Sequence, residues 1–305
     1  MTQSAHPSTS EVAAPAAADH RSHSFETPEH VSVSVDIGAG AVHVTATDRR
    51  DTVVVVLPSR PDRSTDRAAA EQTTVERTGD LIAVKAPRRW ARHILGPGES
   101  LVDVHIALPT GSALRVDAGA GTVLCSGRIG ESEITTGFGD VQVDEVGSLR
   151  LRTGAGDLSV EMATGRVEAK TGTGSVRISS VDGPAAVRNS NGDTWIGEVS
   201  GDLEVRAANG RIAVDRAGGA VTARTANGAV LLGEVARGAI VANTAAGRIE
   251  LGVRAGVAAW LDLNTRFGNV HNDLESTEPP APGEDSVEIH ATTSFGDITV
   301  RRSQP

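Results

Sequence analysis

From Leu114 to Glu250 the chain repeats one short pattern of apolar and polar positions. Its clearest copy is Leu203 to Val214, LEVRAANGRIAV, which reads as strand, tight Asn-Gly turn, strand. A glycine marks each copy: Gly121, Gly139, Gly156, Gly174, Gly192, Gly210, Gly228 and Gly247, with gaps of 18, 17, 18, 18, 18, 18 and 19. Weaker copies carry Gly40 before this run and Gly268 and Gly296 after it. A fixed period in this range is the signature of a solenoid or a similar array.

The alternation says which side chains turn inward. Two and four places after the glycine stand pairs such as Val141/Val143, Val176/Ile178 and Ile212/Val214. Seven and five places before it stand pairs such as Leu149/Leu151 and Leu203/Val205. Alternate residues of a strand share a face, so each rung offers two strands with one apolar face apiece. Threonine recurs three places before the glycine (Thr136, Thr153, Thr171, Thr225, Thr244, Thr265, Thr293), a column suited to cross-strand hydrogen bonding. The pattern predicts an all-β fold, a parallel β-solenoid of about 18 residues and two strands per rung. A stack of antiparallel hairpins would show the same alternation. A rung buries about six small apolar side chains at roughly 1.5–3 kcal/mol each, against roughly 1.5 kcal/mol for each residue ordered. Stacking between neighbours therefore decides stability.

Outside the regular run the pattern loosens. Residues 1–28 lack periodicity and read as a disordered tail, in which His20 and His23, with His30 just beyond, lack a recognisable ligand spacing. Residues 29–113 read as a first rung, Val31 to Val44, that caps the stack, with further capping strands. Among these, Thr52–Leu57 (TVVVVL) has the continuous apolar run of a strand buried on both faces. Residues 58–71 read as a polar connection, and 73–77 and 81–86 as a hairpin across Thr78-Gly79-Asp80. The solenoid occupies 114–301, with a Pro-rich insertion at 275–286, the last rung at Val287 to Val300, and a tail at 302–305.

Composition fits this picture. Aromatic residues are 2% of the chain and tyrosine is absent, so the core must be Val, Ile, Leu, Ala and Thr. A net charge of −10 argues against indiscriminate binding to nucleic acid or acidic membrane. The single cysteine, Cys125, falls in an inward column and reads as an inert core thiol. No apolar run is long enough to span a bilayer, and the first residues lack a basic start followed by an apolar run. The expected compartment is the cytoplasm.

The segments VSVSVDIGAGAVHV, VDVHIALPTGSALRV, TGFGDVQV, TGAGDLSV and TGTGSVRI resemble the bacterial β-strand-repeat family of candidate adhesins. That family carries T-x-x-G-[DS]-h-x-h units behind a leading LP-x-G-x-x-L-x-h segment. The likeness covers about residues 31–301. It implies a β-helix-like fold and no established enzymatic activity, and it brings no catalytic residues with it.

Candidate chemistry lies on the outward face. Four places before the ruler glycine stand Arg152, Lys170, Arg188, Arg206 and Arg224, on five successive rungs. Cations about 4.8 Å apart repel, so this column is a candidate binding stripe for an anionic polymer or an acidic protein. Nucleic acid fits less well, because no aromatic residues interleave. A basic loop with Arg88, Arg89, Trp90 and Arg92 is a second candidate contact. Asp140 and Asp157, on adjacent rungs, could pair as in a glycosidase, but aspartate is also an ordinary turn residue. Asn191, Asn209 and Asn227 read as a stacked amide ladder, and Phe138, Phe267 and Phe295 as plugs for the ends. Asp follows the glycine on too few rungs for a calcium roll. No cofactor or metal ligand set is expected. Self-association through end strands is the alternative to a polymer partner, with a carbohydrate-active enzyme third.

Overall fold

The computed structural model describes residues 21–87, 100–275 and 285–303. Each regular rung gives one strand to each of two sheets. In the sample rung, Leu203–Asn209 lies in a 13-stranded back sheet and Ile212–Ala217 in a 14-stranded front sheet. Leu203 pairs with Ala185 on one side and Val221 on the other, and the strands run parallel, in register. The fold is therefore the parallel solenoid, not the hairpin stack. The inward columns meet between the sheets: Val205, Ile212, Ile196 and Val187 are fully buried.

The front strand has a third inward column that strict alternation does not show. Val146, Ala163, Val181, Val199, Ala217 and Val235 are all buried, seven places after the glycine. The burial pattern of Ile212–Ala217 runs buried, half-buried, buried, exposed, exposed, buried. The two consecutive outward residues bend the strand toward the second turn, so the inward spacing there is three.

The turn explains the ruler. Gly210 has φ +133°, and a Cβ built on it would lie 2.1 Å from the Gly192 carbonyl oxygen. The same approach repeats up the column, so the glycines stack backbone on backbone. The threonines below them serve that column more than each other. Only Thr136 and Thr153 bond hydroxyl to hydroxyl, at 2.9 Å. Thr244, Thr265 and Thr293 donate to the carbonyls of Gly228, Gly296 and Gly247 at 2.9, 2.9 and 3.0 Å. Asn189 replaces threonine in one rung and donates to the carbonyls of Gly174 and Gly192.

At both ends the order in space departs from the order in the chain. The first rung, Ser32–Ala39 and Val42–Thr47, does not cap the stack. Leu81–Lys85 lies outside it in the back sheet and Val102–Pro109 in the front sheet, both parallel to it. Thr74–Thr78, Asp51–Pro58 and Arg21–Glu26 then extend the edges as antiparallel strands. In Asp51–Pro58 only one face is buried: Val54 and Val56 are inward, while Val53, Val55 and Leu57 stay half-exposed. Among the described residues no layer covers the outside of the front sheet there, and the run buries one side only.

Residues 58–71 are not merely a connection. Ser64–Gln72 is an α-helix that packs Ala69 and Ala70 against the core beside Asp51–Pro58. Its Asp66 is fully buried. Burial opposes the charge, but Arg60, 2.7 Å away, and the Leu101 amide outweigh it and hold the carboxyl below the usual range. At the other end, the last segment of the chain is not the last rung. Ser286–Phe295 inserts between Gly238–Ala246 and Ala258–Phe267, and Ile298–Arg302 between Ile249–Val253 and Val270–Asn272. The terminal rung is thus the Gly268 copy.

Candidate functional site

The outward face of the back sheet carries two parallel columns of side chains. In the one nearer the second turn Arg115 pairs with Glu133 and Arg150 with Glu168, each at 3.2 Å across adjacent rungs, and Ala186, Glu204 and Thr222 continue the column. The other is the basic ladder. Arg152 sits beside Lys170, Lys170 beside Arg188, Arg188 beside Arg206 and Arg206 beside Arg224, in direct register. All five are exposed. Arg206 reaches sideways to Glu204 at 2.6 Å. Among the described residues Arg152, Lys170, Arg188 and Arg224 make no hydrogen bond or ion pair.

The ladder has defined ends. Thr135 and then Asp117 precede it, and Asn243 and Thr292 follow it. At one strand spacing per rung its five cations span about 19 Å. Like charges so close cost energy unless an anion lies along them. Beside the ladder is a groove of about 530 Å³, floored by Ala185, Ala186 and Ala220 and edged by three cations, Arg166, Arg206 and Arg224, and two carboxylates, Asp202 and Glu204. It opens because Ala186 stands where neighbouring rungs carry Glu168 and Glu204. The repeat alone does not point to Arg166: it lies at the second turn, off the ladder column, and pairs with Glu168 at 3.6 Å. A second groove of about 550 Å³, beside Arg115, Glu133, Arg150 and Glu168, is lined by the paired charges.

The front sheet treats its cations differently. Arg216 pairs with Glu198 at 2.7 Å and Arg254 with Glu234 at 2.8 Å. Arg177 lies 4.7 Å from the centre of the Trp195 ring, whose indole donates to Asp215 at 3.2 Å. Among the described residues these arrangements leave the back-sheet ladder as the place where several cations stand together without counter-charge.

The other candidates resolve into structure. Asp140 accepts the Asp157 amide at 2.8 Å, and Asp157 accepts the Ser175 amide at 2.7 Å. Asp193 and Asp297 repeat this with the amides of Arg211 and Asn269. These carboxylates rivet one rung to the next. Asn227 donates to Asn209 and Asn209 to Asn191, each at 2.9 Å, on the exposed turn. Phe138, Phe267 and Phe295 do not plug the ends: they sit at glycine turns and are 52%, 60% and 59% exposed. The turn aims this position away from the core. Cys125 is buried, and burial followed by the Asp144 charge pushes its thiol up to about 12. Among the described residues no group of three or more His, Cys, Asp or Glu could hold a metal ion, and no helix is long and apolar enough to cross a membrane. Arg88, Arg89, Trp90 and Arg92 lie outside the described residues.

Among solved structures, similarity is found to a candidate adhesin from Bacteroides fragilis NCTC 9343, 12% identical, covering 93% of this chain and 96% of that one, with a TM-score of 0.34. A candidate lipid-binding protein from Parabacteroides distasonis ATCC 8503 is 12% identical, covering 94% and 97%, with a TM-score of 0.32. A candidate cell adhesion protein from Clostridium sporogenes ATCC 15579 is 8% identical, covering 93% and 99%, with a TM-score of 0.19. No curated protein matches the chain. The Toastrack DUF4097 family model matches residues 32–301, all of the two-sheet stack but the edge strand Arg21–Glu26, and the chain belongs to that family.

Proposed function

We propose that the chain is a non-catalytic β-solenoid scaffold that binds a linear polyanion, such as polyphosphate or an acidic polysaccharide, along Arg152, Lys170, Arg188, Arg206 and Arg224. One observation carries this reading: among the described residues four of these five cations stand in register without a partner, while the charged pairs Arg115–Glu133 and Arg150–Glu168 of the adjacent column neutralise each other. A flexible anionic chain lying along the ladder would meet a cation at every strand spacing, about 4.8 Å. Its charge would offset repulsion that the fold leaves standing. The groove edged by Arg166, Arg206 and Arg224 would seat the chain at one end of the ladder. The cytoplasm is the compartment proposed, which fractionation of cells carrying a tagged chain tests.

Titration of the full chain with polyphosphate, and with inorganic phosphate as the short control, measures the binding. Affinity for the polymer should fall steeply with salt, as expected when several cations release counterions. The R188E/R206E/R224E variant should lose polymer binding and flatten the salt dependence. Polymer binding that is unchanged in that variant would overturn the proposal, as would absence of binding at low salt.

A further inference from the structure

The two ends of the solenoid are finished differently. At the first end the edge strands are short and polar, RSHSFE and TVERT. Arg21 and Arg77 donate to the carbonyls of Glu71, Glu26 and Gly79, and the helix Ser64–Gln72 closes the core. Such edges resist strand addition. The other end has no such covering among the described residues. Ala258–Phe267 and Val270–Asn272 are bare edges, and the inward Leu261 and Leu263 stay half-exposed. Trp260, Phe267 and Val270 are 57%, 60% and 44% exposed around them.

We infer that this C-terminal end is a dimer interface occupied by the same end of a second copy. A two-fold axis across it would run the edge strands antiparallel, continuing both sheets from one molecule into the other. Three considerations select this occupant. The first is area. A ten-residue strand spans about 33 Å, and two sheets with their side chains are about 20 Å thick, so the end offers roughly 600 Å² and a pair about 1,200 Å². That reaches the lower range of stable interfaces. The second is charge. In the antiparallel register that sets Asn264 against itself, Asp262 of each copy faces Arg266 of the other, making two ion pairs by symmetry. Both residues are exposed, and among the described residues Arg266 has no partner while Asp262 meets only His290. The third is closure. The polar, helix-covered first end offers no matching surface, so association stops at two and does not grow into a filament.

The same register puts Asn264, which continues the ladder column, on the axis. The two basic ladders would then lie on one continuous face, separated by Asn243, Thr292 and Asn264 of each copy. The dimer does not depend on the ladder's binding a polymer, and its test contains none.

Sedimentation equilibrium of the full chain should give a monomer–dimer equilibrium without larger species. D262R and R266D alone should each weaken the dimer about tenfold or more. The D262R/R266D exchange should restore it, with circular dichroism confirming that all variants fold. These substitutions sit at exposed positions, so they leave the core alone. A strict monomer up to about 100 µM, a dissociation constant that would correspond to roughly −5.5 kcal/mol, overturns the inference. So does growth beyond the dimer, a dimer indifferent to the single substitutions, or a double exchange that fails to recover.

Discussion

Replacing Gly210 by alanine adds one methyl group, and its cost can be worked from two separate causes. The first is conformational: Gly210 has φ +133°, a region that an L side chain enters at roughly 1–3 kcal/mol. The second is contact. The new Cβ would lie 2.1 Å from the Gly192 carbonyl oxygen and 2.6 Å from its carbon, so the two rungs must part. Parting them stretches the bonds from Gly192 to the Asn209 carbonyl, 2.9 Å, and from Thr194 to the Arg211 carbonyl, 2.8 Å, which join these two rungs. At about 1 kcal/mol for each weakened bond, the sum is roughly 3–5 kcal/mol. With a few degrees per kcal/mol for a chain of this size, the melting temperature should fall by roughly 10 °C. Two controls separate the causes. Gly79→Ala has φ +60° but nothing within 4 Å of the new Cβ, and should cost about 1 kcal/mol. Gly38→Ala has neither problem and should be nearly neutral. Urea unfolding followed by circular dichroism measures all three. If Gly210→Ala costs no more than Gly79→Ala, the stacked-glycine account of the 18-residue period is wrong.

Further outcomes follow from single sites. Ile196→Ala empties a fully buried position in the middle of the stack and should cost about 2–5 kcal/mol by the same unfolding measurement. Cys125 should resist an aqueous thiol reagent in the native protein and react fully in denaturant, since burial holds its thiol up at about 12; rapid native labelling would contradict this. His105 is stacked on His43 at 4.7 Å, and burial, followed by the charge of His43, lowers its pKa against the pull of Asp103. The unfolded chain therefore binds a proton more readily there. The associated stability is complete above the ordinary histidine value and is lost as pH falls from there through the lowered folded value. His290 acts oppositely, because Glu288 and Asp262 raise its pKa and favour its charged form in the folded state. Comparing melting at about pH 7.5 and about pH 5.5 in the parent and in His105→Phe isolates the first effect. The parent should lose more stability on acidification than the variant, and an equal loss in both would remove His105 from the account.

Much of this protein could be read along the chain, because a stacked rung writes its geometry into the sequence every 18 residues. The turn glycines, the inward pairs such as Ile212/Val214 and the five-residue basic column follow from periods of two and eighteen, which need no long-range information. The sequence did not show which neighbour each end strand takes. Val287 to Val300 reads as the last rung, yet it inserts one place inward, because pairing is a choice of edge and not of pattern. Nor did it show the helix Ser64–Gln72, whose short Ala-rich stretch becomes amphipathic only against the strand beside it. The third inward column escaped because the front strand bends before its second turn, shifting the spacing from two to three. At the ladder, the sequence determined that five cations share a column. Only the tertiary structure decided that Arg150 and Glu168 beside them pair with one another, that a groove lies between Ala186 and Arg166, and that among the described residues four of the five remain without a counter-charge. The reason is physical: register along a strand is local, whereas the charge a side chain meets depends on which strand lies beside it.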